Sequence, residues 1–222
     1  KVTVSVLYWM PKRERTDADA ARPTAAKIRP DVETDVIWRL LHQTNRSDVV
    51  RIDRCVFSKA DCDRCLGYLK AFDEVRDIRL QMSVGSATMP RFLAHLVNNA
   101  TTLEKVDLSR NRIDSTGALA VAETCVKLHR VRVLNLSFNP IGDDGAVAIV
   151  KAFADRPVFL ILRHCNLSDT FANELVRSGV CSESLTLCVA ENRIGKLGLN
   201  ALSQLPAGVS INASRQYPKG VA

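Results

Sequence analysis

Leu103 to Asn111 reads LEKVDLSRN, and 28 residues later Val131 to Asn139 reads VRVLNLSFN. Superposed, Leu103, Val106, Leu108, Asn111 and Ile113 fall on Val131, Leu134, Leu136, Asn139 and Ile141, and Gly117-Ala118 falls on Gly145-Ala146. Agreement that persists over a whole period is the mark of a stacked structural repeat. It constrains the fold more than composition does. A unit this small cannot bury its own apolar face, so copies must stack on one another.

Each part of the unit has a physical role. Val106 and Leu108 alternate with Asp107, which asks for a short strand with both apolar side chains on one face. The Asn follows where the chain leaves that strand, and its amide can satisfy backbone groups of neighbouring turns. Gly-Ala then opens a helix at a close approach to the sheet, where a large side chain would not fit. LxxLxLxxNxI followed three residues on by Gly-Ala resembles the leucine-rich repeat, in its ribonuclease-inhibitor-like subtype with a full helix per repeat. The resemblance implies an α/β solenoid, a horseshoe with an inner parallel β-sheet and outer helices.

Further copies can be counted from this template. Val50-Arg51-Ile52 has Cys55 in the Asn slot, and Ile78-Arg79-Leu80 has Ser83. Leu160-Ile161-Leu162 has Cys165, and Leu187-Cys188-Val189 has Asn192, Ile194 and Gly198. With Val106 and Leu134 this makes six rungs. Val209-Ser210-Ile211 reads as a closing strand, and Val4 with Val6 as the inward pair of an opening rung, so the total is six to eight. The chain divides into residues 1–46 (an N-terminal strand, a basic insertion and a capping helix from Pro30), 47–212 (the solenoid) and 213–222 (a basic tail).

Charge follows that division. Of a net +7, residues 1–30 carry seven Lys/Arg against three acids, while 31–212 is close to neutral. Lys12, Arg13, Arg15, Arg22, Lys27 and Arg29 form an arm suited to an anionic surface, either RNA or an acidic partner. Its composition would leave it disordered unless the solenoid's flank or a partner pins it. The arm lacks interleaved aromatics, which argues against reading single-stranded bases.

Reaction chemistry finds little support. Cys62-Asp63-Arg64-Cys65 raises a zinc or redox reading. Register opposes it, since Cys62 and Cys65 stand as far past Cys55 as Ala118 and Val121 stand past Asn111, at inward helix positions that free Cys fills well. His42, His95, His129 and His164 are scattered over different turns without a recurring partner. No phosphate-cradling glycine loop is present. The sequence therefore gives no catalytic residue, no metal site, no cofactor and no small-molecule substrate. No stretch approaches the roughly 18 uninterrupted apolar residues of a membrane span.

The informative surface is the inner wall, formed by strand residues that alternate with the buried ones. Arg51, Arg79, Lys105 and Asp107 make its first half mixed in charge. Val133, Phe159, Ile161 and Cys188 make its second half apolar, with Arg163 beside them and Phe138 one place beyond at the rim. An apolar patch on a wall that repeat proteins keep polar is a protein-contact site, unless the tail with Tyr217 folds over it. These readings describe a non-catalytic protein-binding scaffold among other protein subunits of a large assembly. A neutral body with basic ends leans towards a ribonucleoprotein, such as an organellar (mitochondrial) ribosome or its assembly complex, with RNA on the arm. A cytoskeletal or axonemal adaptor is the alternative, and a ubiquitin-ligase substrate receptor a third. Seven cysteines without pairable spacing point to a reducing intracellular compartment, with the mitochondrial matrix ahead of the cytoplasm or cytoskeleton.

Overall fold

A computed structural model of the chain describes residues 4–5, 27–28, 49–53, 76–81, 89–99, 102–179 and 184–217. In chain order its strands are β1 (Val4–Ser5), β2 (Lys27–Ile28), β3 (Val49–Asp53), β4 (Asp77–Gln81), β5 (Lys105–Asp107), β6 (Val133–Asn135), β7 (Val158–Ile161), β8 (Leu185–Cys188) and β9 (Ser210–Asn212). Its helices are α1 (Met89–Asn99), α2 (Ser115–Cys125), α3 (Gly142–Ala152), α4 (Asp169–Arg177) and α5 (Lys196–Leu202). From β4 onward each strand except β9 is followed by one helix. From β3 to β9 all neighbours are parallel, and Val50, Ile78, Val106, Leu134, Leu160, Leu187 and Ile211 lie opposite one another along the sheet. The six rungs read from the sequence are therefore adjacent parallel ribbons of an α/β solenoid.

The core lies between this sheet and the helices. Val106, Leu134, Leu160 and Leu187 are buried, as are Leu108, Leu136, Leu162 and Val189 two places on. The helices close over them with Ala118, Val121, Ile149, Phe153, Phe171 and Leu175. Each large apolar side chain buried in this way contributes about 2 kcal/mol. Small residues let the helices of successive rungs come close. A Cβ at Gly145 would sit 2.8 Å from Ala118 Cβ and 2.9 Å from Ile141 Cγ2, so it is the preceding helix, rather than the sheet, that demands glycine there.

The asparagines join rung to rung. Asn139 Nδ2 donates to Leu108 O (2.9 Å) and Leu136 O (2.8 Å), while its Oδ1 accepts from the backbone N–H of Asn111 (2.7 Å) and Ile113 (3.0 Å). Asn192 repeats the pattern two rungs later, accepting from Cys165 N and Leu167 N and donating to Leu162 O and Val189 O. Cys165 has no amide oxygen to offer. The Ile141 N–H therefore turns to Asn139 O (2.8 Å) and the Gly142 N–H to Cys165 O (3.1 Å). Helix α3 accordingly opens at Gly142 (φ +71°) with no side-chain cap, whereas Asp114 caps α2 and Ser168 caps α4.

Both ends differ from the sequence reading. Val4–Ser5 does not form a parallel opening rung. It pairs antiparallel with β2 (Val4↔Ile28, Ser5↔Lys27) and, on its other side, with β3 (Ser5↔Asp53). A parallel neighbour needs a crossover, whereas an antiparallel one needs only a chain reversal. At the other end Ile211, not Val209, lies opposite Leu187, a register two residues further on. Residues 213–217, read as a tail, then continue the last rung. Gln216 occupies the Asn slot there, with Oε1 accepting from Ile194 N (3.1 Å) and Nε2 donating to Val189 O (2.9 Å) and Ala213 O (3.1 Å). The longer amide does the work of asparagine. Apart from Lys27 in β2, the basic arm lies outside the described residues, as do the expected helix from Pro30, Cys55, Cys62, Cys65 and Ser83.

Candidate protein-contact surface

The inner wall differs between its two halves. In the first half the charges answer one another. Arg79 forks onto Asp77, with Nη2 2.6 Å from Oδ2, and Asp107 accepts from Gln81 Nε2 (3.1 Å) and from its own strand end at Ser109 N (2.9 Å). Arg51 lies opposite Arg79 in backbone register, and Lys105 is exposed. In the second half Val133 lies opposite Phe159, and Asn135 opposite Ile161, which in turn opposes Cys188. Phe159 is 39% exposed, Val133 and Ile161 are half-buried, and Cys188 is only 7% exposed. The apolar patch therefore centres on Phe159, and Cys188 adds little to its surface because β8 seats it against the core. Arg163 is held by Glu191 at 2.5 Å, on the far side of the patch.

At the rim stands a second feature. The residue before the Asn slot takes a left-handed conformation on five successive rungs, at Arg110, Phe138, His164, Glu191 and Arg215, with φ between 52° and 60°. Such backbone costs a non-glycine residue about 1 kcal/mol, so it persists because the surrounding ladder requires it. The N–H groups of Arg110, Phe138, His164 and Glu191 all bond to the next rung, which keeps the five side chains in one column. Arg110 lies over the Phe138 ring (4.1 Å), His164 stacks on Phe138 (5.2 Å between centroids), and Tyr217 meets His164 edge-on (6.1 Å). Tyr217 therefore joins the rim column, and Phe159 stays exposed among the described residues.

The family profile described as "Leucine Rich repeat" matches residues 99–122 and 128–150, which are the two rungs whose asparagines interlock. Ribonuclease inhibitor of Sus scrofa is 26% identical over 177 residues, covering 77% of this chain and 39% of the inhibitor. Ribonuclease inhibitor of Mus musculus is 24% identical over the same shares. The parallel register, the asparagine ladder and these matches support a leucine-rich-repeat protein of the ribonuclease-inhibitor-like type. The chain spans about two fifths of the length of these curated relatives. Leucine-rich-repeat solenoids serve as protein-binding scaffolds and are in general non-catalytic.

The repeat also accounts for groups that could be mistaken for chemistry. Burial pushes the Cys165 thiol up to about 12, against a smaller opposite effect from backbone hydrogen bonds at Asn139 and Phe138. A thiol so far from ionising is a structural group rather than a nucleophile. His164 faces Phe138 and Tyr217. Among the described residues no three His, Cys, Asp or Glu side chains converge on a point where a metal could bind, and no helix is long and apolar enough to cross a membrane. Sequence reasoning took Phe138 from the rim column and missed Arg110, His164, Glu191 and Arg215. The signal was available for the first three, which stand one place before an Asn-slot residue, but not for Arg215, whose slot residue is Gln216.

Proposed function

We propose that this protein is a protein-binding scaffold whose contact surface is the inner wall around Phe159, and that it works within a large ribonucleoprotein assembly, such as an organellar ribosome or its assembly complex. The carrying observation is Phe159 itself. A phenylalanine left 39% exposed between half-buried Val133 and Ile161, in a wall where Arg79 is held by Asp77, Gln81 by Asp107 and Arg163 by Glu191, is the kind of apolar anchor that protein interfaces bury. The ribonucleoprotein part rests on charge, because the solenoid is close to neutral while the arm from Lys12 to Arg29 is basic. Lys105 and Arg163 flank the patch and set the polar rim of the same surface.

Affinity capture from native cells tests both parts. Phe159→Ala is expected to weaken partner binding by about 2 kcal/mol or more, as truncation of an interface anchor does. Phe159→Asp should abolish capture, and an unchanged partner set would remove the inner-wall reading. Nuclease treatment of the captured particle should release or shrink it. Retention after RNA digestion together with co-sedimentation on microtubules would turn the reading to a cytoskeletal adaptor. The two relatives are named for inhibiting a ribonuclease, so a ribonuclease titration belongs in the same experiment, and stoichiometric inhibition would replace the assembly reading.

A further inference from the structure

The rim column and the loop beside it carry the exposed arginines Arg110, Arg193 and Arg215. Asp114 accepts from Gly117 N, Asp143 from both Ser168 N and Oγ, and Asp169 from Gly195 N and Gly198 N, so these carboxylates are engaged at helix starts, Asp114 at that of its own α2 and Asp143 and Asp169 at those of the following helices α4 and α5. Glu191 is taken by Arg163 at 2.5 Å, with Arg215 at 4.0 Å. Arg110, Arg193 and Arg215 stand exposed along this one edge. Arg193 forms no ion pair among the described residues. Each guanidinium carries five N–H donors in a fork that matches a carboxylate. Beside Arg193 lies a cleft of about 170 Å³, lined by His164, Asn166, Glu191, Asn192, Arg193 and Tyr217.

We infer that this edge docks an acidic peptide segment of the partner, with carboxylates on Arg110, Arg193 and Arg215 and one side chain seated in the cleft. The inference rests on the scaffold reading and names the chemistry of what the scaffold takes. Two observations select a peptide over other anions. The cleft is smaller than the roughly 300–1,000 Å³ of small-molecule sites and has room for about one side chain. Phe138 has Arg110 over its ring and His164 against it, so it offers no open face on which a nucleobase could stack, and Tyr217, edge-on to His164, does not extend it into a platform of successive open rings. What the edge presents outward is guanidinium, which suits carboxylates held on an extended chain.

The test titrates the purified protein with a fluorescein-labelled glutamate-rich peptide bearing one central leucine. The same peptide with lysine for glutamate, and an oligouridine RNA, are run beside it. The acidic peptide is expected to bind and to weaken with salt, while the lysine peptide does not bind. The double variant Arg193→Glu, Arg215→Glu, its melting temperature unchanged, is expected to bind the acidic peptide about tenfold more weakly. RNA binding tighter than the acidic peptide, no peptide binding at low salt, or binding indifferent to charge reversal would each overturn the inference. Native capture separates it from the reading beneath it. Capture lost in Phe159→Asp but untouched by charge reversal overturns the acidic-segment inference alone. Capture lost on charge reversal but kept in Phe159→Asp supports the acidic edge and removes Phe159 as the anchor.

Discussion

At Asn139 one side chain makes four backbone hydrogen bonds of 3.0 Å or shorter, two given and two received, across two rungs and at 1% exposure. Replacing it by alanine leaves two carbonyls and two N–H groups to find partners in a space closed to water. Asn139→Ala is therefore expected to destabilise by on the order of 3 kcal/mol in a denaturant titration, since each buried unsatisfied group costs about 1–3 kcal/mol and some will relax. Cys165, in the same slot, makes only weak sulfur contacts to Leu136 O and Arg163 O, so Cys165→Ala should cost far less. Its burial has a separate consequence for pH. With the folded pKa pushed up from 9.0 to about 12, the unfolded state loses its thiol proton first as pH rises. The stability this proton linkage gives is intact below about 9 and is lost as pH climbs towards about 12. The slope is at most about 1.4 kcal/mol per pH unit. Comparing pH–stability curves of the parent and Cys165→Ala isolates this slope from the lysines and tyrosines that titrate alongside. Coincident curves would show that the thiol contributes none of it.

At the scale of elements the packing of consecutive helices decides what each turn tolerates. Gly145 sits in α3, where helix propensity alone would favour alanine by about 1 kcal/mol. The contacts say the reverse, because the added Cβ would lie 2.8 Å from Ala118 Cβ and 2.9 Å from Ile141 Cγ2, neither on a flexible tip. Gly145→Ala should lower stability by about 1–3 kcal/mol, the usual range for overpacking, and a variant more stable than the parent would mean the helices part freely. The same comparison shows what the sequence disclosed. Strand register was legible because Val106, Leu134, Leu160 and Leu187 repeat an apolar pattern that only one stacking satisfies. The antiparallel pairing of Val4–Ser5 was not, because two residues on an edge carry too little pattern to tell a reversal from a crossover. Gln216 was hidden for another reason, since its amide does an asparagine's work from a different residue type. On the inner wall the exposure of Phe159 could be read from alternation alone. Cys188 could not be discounted, because how deeply β8 seats it depends on its neighbours rather than on its own position.

For the whole molecule, stacking makes stability a sum of rung terms and interfaces between neighbouring rungs. The central rungs have partners on both sides, and among the described residues β9 pairs with β8 alone. Gln216 is the main side-chain tie of this last rung, linking Ile194 N, Val189 O and Ala213 O, and Tyr217 N adds one backbone bond to Asn192 O at 2.7 Å. Cutting that tie should therefore act locally. In Gln216→Ala, amide protons of Ser210–Asn212, and of Val189 and Glu191 that bond to this rung, are expected to exchange faster, while those of β5 to β7 keep their protection. Since the rim column runs through Arg215 and Tyr217, the same variant should loosen the cleft beside Arg193 while leaving Phe159 in place. Hydrogen exchange followed peptide by peptide decides the matter. A uniform loss of protection from β4 to β9 would show that the rungs melt as one block, and the additive picture of the solenoid would have to be given up.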